Sequence, residues 1–497
     1  MRRHGYYLCT SSDGLVVPSS SAEQLIVGDH SQMASHPRAQ APQRGFAVAM
    51  LALSLVFVEF LAGMQRYLSQ TVLPLMASDL DGARLYGPLD AAAQAPMFLM
   101  MPVGAWLLSR FKISHLMLFF TTMTVVGAAA CAAAPVMGVF IAGTAIRSMA
   151  SGALATVGMG AISRGLPPKY RQLVLAGMSG IWLFSSVLGP VYAVAVSSVL
   201  SWRWAMLLYL PFLLLARLMI ARYMPERTEQ VAREKAPWKW SIVLATGSAV
   251  LSLPLGTWSA ATVFVGAGLM LSASSAILPA GTFRATSGRR AGLTALMVTA
   301  AVYFGASMVL SVIAHDVFGF GPQQFGFIIA APGFMWAVAG LWTGSHPALE
   351  DRKFRRRALP ASTTIALGVV VILAATLLAS GASSAFICLL LGAALLGLGM
   401  GSLYPDLLGR CFSRPEKSDG ISEDRMAAAV MIAESVGLSL ATTLAYTWLG
   451  DGLGLVDDPA QRARWLYLIL LPLAVVMVHR LWAAARSEPA PSPLGDL

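Results

Sequence analysis

Four ionisable side chains stand well inside apolar runs of this 497-residue sequence: Glu59, Arg66, Arg147 and Glu434. Such groups are costly in hydrocarbon, roughly 2.5–3.5 kcal/mol at a helix centre, so each calls for a partner or a task. At a rise of 1.5 Å per residue, Glu59 lies about 20 Å along a run that begins at Phe46. Arg147 lies about 17 Å in from Val136, measured from the opposite side. Both depths fall near the middle of a hydrocarbon core about 30 Å thick. Opposite charges at one depth predict an ion pair that a proton breaks, since desolvation favours the neutral carboxyl and a guanidinium favours the carboxylate. A proton on Glu59 would release Arg147; the plainer alternative is a static pair that locks two helices. Arg66, seven residues beyond Glu59 with Gln65 and Tyr67 beside it, reads as a substrate contact, as an outer gate, or as a side chain snorkelling to the interface. Glu434, about 12 Å from the cytoplasmic end of its run, reads as a second proton or cation site or as a structural acid.

Other residues bear on shape. Trp182, Phe304 and Trp336 line an apolar pocket or simply pack between helices. Gly189-Pro190 combines a residue that admits a close neighbour with one that removes a helix hydrogen bond, so the pair predicts a kinked, tightly packed hinge. Gly392, Gly397, Gly399 and Gly401 predict another close-packed stretch. Asp351 with Arg352 and Arg355 forms a charged segment suited to a cytoplasmic latch or to anionic headgroups. Asp406 and the pair His315-Asp316 are expected at interfaces. No GxxxxGK[ST], HExxH or GxSxG pattern occurs, so neither an enzyme nor a nucleotide engine is indicated, and no cofactor or metal is expected.

The elements that carry these residues follow from composition. Apolar residues make up 57% of the chain and charged residues 12%, half the share of an ordinary soluble domain, with a mean hydropathy of +0.67. Four cysteines without CxxC spacing exclude a disulfide scaffold or a zinc-cysteine site. Fourteen apolar runs predict membrane helices: 46–76, 88–109, 113–134, 136–163, 172–199, 202–222, the short pair 240–256 and 258–277, then 292–314, 323–344, 360–380, 384–408, 426–449 and 464–483. With the N-terminus inside, cytoplasmic segments hold 29 of the 35 lysines and arginines. The pair within 240–277 must cross twice, or re-enter, for the cluster Arg352–Arg357 to stay inside. The net charge of +11 is therefore a topology signal and no nucleic acid is implied. Residues 1–44 read as a disordered cytoplasmic tail with Met33 as an alternative start, 223–239 as a cytoplasmic linker, and 485–497 as a loose cytoplasmic tail. This leaves bundles at 45–222 and 278–484, with an inserted pair at 240–277, and both termini cytoplasmic.

Three stretches carry a family resemblance. WRW at 202–204 with Pro211 resembles WRWxFxxNxP, with Tyr209 in place of Asn. Gly189-Pro190 is similar to GPxxGG, with Ala193 and Val194 replacing the last glycines. LEDRKFRR from Leu349 resembles LxDRxGRR, with Phe354 in place of Gly. The RxxxG motif has its Arg147, with Ser151 at the glycine position. The sequence resembles the major facilitator superfamily, and within it the fourteen-helix drug:proton antiporters, though Gln65 stands where their first helix often carries Asp. The resemblance implies an all-α polytopic fold of two six-helix bundles with Glu59 and Arg147 on one cavity wall. It also implies proton-coupled efflux of amphipathic drug-like or secondary-metabolite compounds by alternating access. A proton-coupled importer of a polar solute and a lipid flippase are the alternatives. The partners expected are a small-molecule substrate, protons and membrane lipids, for a monomer in the plasma membrane.

Overall fold

The computed structural model describes residues 41–108, 110–224, 238–253, 258–348, 350–378, 381–412, 421 and 423–486. Most of the expected tails and of the expected linker lies outside them, while 41–44 belong to the first helix. The described residues form helices and short 3-10 turns, with no strand among them. The first half runs α1 Ala41–Asp79, α2 Tyr86–Leu108, α3 Ile113–Ala132, α4 Met137–Gly165, α5 Pro168–Val199, α6 Trp202–Ala205 and α7 Leu210–Tyr223. The inserted pair is α8 Trp238–Leu251 and α9 Ser259–Ile277. The second half runs α10 Gly288–Ser307, α11 Leu310–Asp316, α12 Pro322–Ser345, α13 Asp351–Leu378, α14 Ala382–Phe412, α15 Glu423–Asp451 and α16 Pro459–Ala484.

The sixteen described helices form fourteen helical units, because α6–α7 and α10–α11 are each one unit interrupted by a short break, and twelve of the units are long and apolar enough to cross a membrane. Helix α8 has 14 residues, about 21 Å, and falls short of the hydrocarbon core. Local chemistry sets several ends. Proline occupies the first turn of α5, α12 and α16, where its missing N–H is no loss. The Asp458 carboxylate caps α16 by accepting from the Ala460 and Gln461 N–H groups at 3.2 Å each.

Packing separates two bundles. Within the first, α4 lies against α2 and α3; within the second, α14 lies between α12 and α13 while α10 packs on α15 and α16. Glycines set the approach in α14: a Cβ on Gly397 or Gly401 would run into α12 backbone at Pro332 and Trp336, and one on Gly392 or Gly399 would run into α13. The glycine-rich stretch thus packs on two neighbours, one on each side. Gly189 meets α1 at Tyr67 and Met64, where an added Cβ would lie 2.7 Å from the Tyr67 Cβ. The bundles join through α5 against α12 and α2 against α15, and the α8–α9 hairpin lies over the α2–α15 junction.

Candidate functional site

A cavity of about 560 Å3 lies between the two bundles. Its walls come from α1, α2 and α4 in the first bundle and from α10 and α15 in the second, with Met206 of the α6–α7 break closing one side. Four charged residues face it: Arg66, Asp90, Arg147 and Glu434. Gln65, Ser69, Gln94 and Ser148 add polar surface, and Met76, Met97, Met206, Met308 and Phe304 supply an apolar, thioether-rich lining.

The outer end of the cavity is sealed by cross-bundle hydrogen bonds. Asp90 Oδ2 on α2 accepts from Thr443 Oγ1 at 2.7 Å and Thr442 Oγ1 at 3.0 Å, both on α15. Gln70 Nε2 on α1 donates to the carbonyls of Ser307 at 3.0 Å and Met308 at 3.1 Å. Those carbonyls lie at the α10–α11 break, and Tyr446 Oη also donates to Met308 O, at 2.5 Å. A helix interruption leaves carbonyls without intrahelical donors, and side chains from two other helices supply them here. Tyr86 Oη donates to Asp316 Oδ2 at 3.2 Å, and His315 Nδ1 lies 2.8 Å from Asp316 Oδ1.

Farther out, the WRW segment ties the ends of the first bundle. Asp79 Oδ2 accepts from Arg203 at 2.5 Å and from the Trp202 indole at 3.2 Å, while Arg203 also donates to Ala134 O at 3.2 Å. One short helix thereby clasps the outer ends of α1 and α3.

The predicted pair of Glu59 and Arg147 is not formed. Equal depth fixes height but not direction around a helix. Arg147 lays its stem on Gly127 of α3, and its polar neighbours are the Cys131 thiol and the Tyr209 hydroxyl. Glu59 is half-buried on α1 and is not among the residues that line the cavity. Glu434 does line it, with Oε2 accepting from Tyr404 Oη of α14 at 2.7 Å. Arg66 also faces the cavity and does not snorkel outward. Its guanidinium lies 5.2 Å from the centroid of the Phe304 ring, in the electrostatic range of both Asp90 and Glu434. Phe304 and Gln65 line the cavity as expected, whereas Trp336 backs it, packed on Tyr303 at 5.0 Å and Tyr404 at 5.3 Å. The side chain of Trp182 lies outside the described residues.

Of the residues expected to form a cytoplasmic latch, Asp351 pairs with a cation other than Arg352 or Arg355. Asp351 accepts from Arg410, and Arg357 donates to Asp406 Oδ2 at 2.9 Å, while the Ala348 N–H donates to Asp406 Oδ1 at 2.9 Å. Arg352 and Arg355 are exposed, because residues one and four into α13 turn away from α14. Phe354, at the position where the resembling motif has Gly, is fully buried beneath the Arg410 guanidinium at 4.9 Å.

Asp90 is the functional candidate that the sequence reading missed. It sits only four residues into α2, where span counting places it near the interface, and the hydroxyl donors that enclose it come from a helix more than 350 positions away. The one local signal was Gln94, a turn later on the same face of an otherwise apolar helix.

Two bundles of helices, most of them of membrane-crossing length, enclose a cavity closed at one end by cross-bundle hydrogen bonds, the architecture of a polytopic membrane protein. The sequence pattern of the Major Facilitator Superfamily matches residues 55–417, and the chain belongs to that superfamily. It is 22% identical over 247 residues to the MFS-type efflux pump LUC4 of Fusarium sp, covering 48% of this chain and 43% of that protein. It is 24% identical over 205 residues to multidrug resistance protein 3 of Bacillus subtilis (strain 168), covering 41% and 40%. The chain thus spans about two fifths of the length of these curated relatives. Among solved structures, the POT family transporter PepTSo superposes with a TM-score of 0.62 at 12% identity, over 86% of this chain and 96% of that one, which is a likeness of fold.

Proposed function

We propose that the protein is a secondary active exporter of amphipathic small molecules, driven by protons and working by alternating access in the plasma membrane as a monomer. The observation that carries this reading is the cavity on the bundle interface, with one carboxylate from each bundle, Asp90 and Glu434, about a single guanidinium, Arg66. Carriers of this kind bind substrate and coupling ion near the midplane between their repeats. Asp90 also holds the outer seal, so a proton there acts on the same contact that must open. Methionine-rich walls accommodate varied apolar shapes. The names of the relatives, an efflux pump and a multidrug resistance protein, support the outward direction.

The test is substrate-dependent proton movement in proteoliposomes with a dye panel of both charge signs. Asp90→Asn or Glu434→Gln should abolish the coupled proton movement, whereas Glu59→Gln, which removes a carboxylate outside the cavity, should retain it. Protons moving in the same direction as the solute would replace the exporter by a symporter.

A further inference from the structure

The charged groups of the cavity are unequally satisfied. Asp90 accepts from Thr442 and Thr443, and Glu434 accepts from Tyr404, so both carboxylates hold donors from the protein. The guanidinium groups are less well met: among the described residues, neither Arg66 nor Arg147 makes a hydrogen bond to an oxygen or an ion pair with a carboxylate, and Arg147 has the weakly accepting Cys131 thiol as its hydrogen-bond partner. Arg147 is the sharper case. It is 7% exposed, its Nε is enclosed without a partner, and a thiol and a phenol are its polar neighbours. A guanidinium stays charged in proteins and offers five N–H donors in a planar fork. The unmet charged groups of this cavity are therefore donors, beside one neutral acceptor, Gln70 Oε1, so its net demand is for acceptor oxygens and negative charge.

We infer that the cavity recognises amphipathic organic anions, with a carboxylate seated on Arg147 and an apolar body against Met76, Met97, Met206, Met308 and Phe304. A carboxylate matches the guanidinium fork bidentately, a geometry that an ammonium or an amide cannot offer. Arg66 is the lesser anchor, because Asp90 and Glu434 already share its field. A cationic ligand meets the opposite situation: both acids are already hydrogen-bonded and Arg147 repels it. The volume of about 560 Å3 suits a drug-sized molecule. This inference rests on reading the cavity as the substrate site and is independent of proton coupling.

The experiment is calorimetric titration of the purified protein in neutral detergent, at one pH and without any gradient. The probes are 2-naphthoate, 2-naphthamide and 2-naphthylmethylammonium, with the matching biphenyl set. The carboxylates should bind about tenfold or more tightly than the amides, and the ammonium compounds least. Arg147→Gln should bring each carboxylate down to its amide and leave the amide unchanged. Arg147→Lys keeps the charge but loses the fork, so it should narrow the preference without removing it, and it serves where the glutamine variant does not fold. The inference is overturned by amides or ammonium compounds that bind as tightly as the carboxylates. Failure of every carboxylate to bind below about 1 mM, or a preference that survives Arg147→Gln, overturns it equally. Because no transport is measured, a failure here leaves the exporter reading standing.

Discussion

If the Asp90 clasp holds the outer side shut, removing its donors should open the protein by a calculable amount. Thr442→Val and Thr443→Val delete the hydroxyls at nearly constant volume. Each deletes a hydrogen bond to a carboxylate, of 3.0 and 2.7 Å respectively, and bonds to charged groups contribute about 1.5–3 kcal/mol. The bonds join α2 to α15 and exist only while the outer ends are together, so the loss falls on the closed state alone. At the low end the double variant gives up about 3 kcal/mol, which raises the ratio of outer-open to outer-closed molecules by about 100-fold. Either single variant should give about tenfold. Asp90→Asn should fall between wild type and the double variant, since a neutral acceptor keeps bonds of about 0.5–1.5 kcal/mol each. The readout is alkylation of Met76→Cys, at the outer end of α1 on the cavity wall, by a membrane-impermeant maleimide added to whole cells. Native cysteines are replaced in that background. While the open form is a minor species, the labelling rate scales with its population, so the 100-fold change is read as a rate. A rise below about threefold in the double variant, at matched expression, would refute the assignment of the seal to Asp90.

Two further outcomes concern stability. Gly397→Ala should lower the melting temperature of the purified protein, at a cost of about 1–3 kcal/mol, because the new methyl lands on the Pro332 carbonyl; Gly409→Ala on the same helix, with nothing within 4 Å, should not. Arg357→Gln strands the Asp406 carboxylate, which is 3% exposed, with only the Ala348 N–H, at a cost of about 3 kcal/mol; adding Asp406→Asn should recover most of the lost melting temperature, and no recovery would count against the pair.

The architecture was legible because two strong physical signals agree. Apolar runs mark where a helix can cross, and lysine and arginine mark which ends stay inside; by that parity the short pair at 240–277 was expected to cross twice or re-enter, and of its two helices α9 is long enough to span while α8 is not. The motif residues WRW, Gly189 and Asp351 were legible through the family motifs they resemble, although the hydrogen-bond partners of Trp202, Arg203 and Asp351 lie 59 to 124 positions away. The charge constellation was not. Sequence spacing gives the height of Glu59 and Arg147, but the direction of each side chain depends on which neighbour offers a glycine, and Gly127 draws Arg147 toward α3. Arg66 was left open between a substrate contact, an outer gate and a snorkelling side chain, and its seat on the cavity wall depends on neighbours from both bundles. Asp90 stayed invisible because its environment is made by Thr442 and Thr443, and nothing in the local sequence of α2 announces that pairing. Likewise, the cations of the cytoplasmic clasp depend on the rotational setting of α13, which puts Arg357 inward and Arg352 and Arg355 outward.

The hairpin of α8 and α9 rests on α2 and α15, the two helices whose outer ends must separate when the seal parts, so it cannot keep its seat on both. Its arms are held together by Gly247 and Gly266, which leave no room for a methyl between them, and most of its footing is on α2. It should therefore travel with the first bundle and stand like a shutter across the widening slot. On the proposed alternating-access cycle, acyl chains that would otherwise drain into that slot would meet a wall of protein, and the path to the exterior would fill with water.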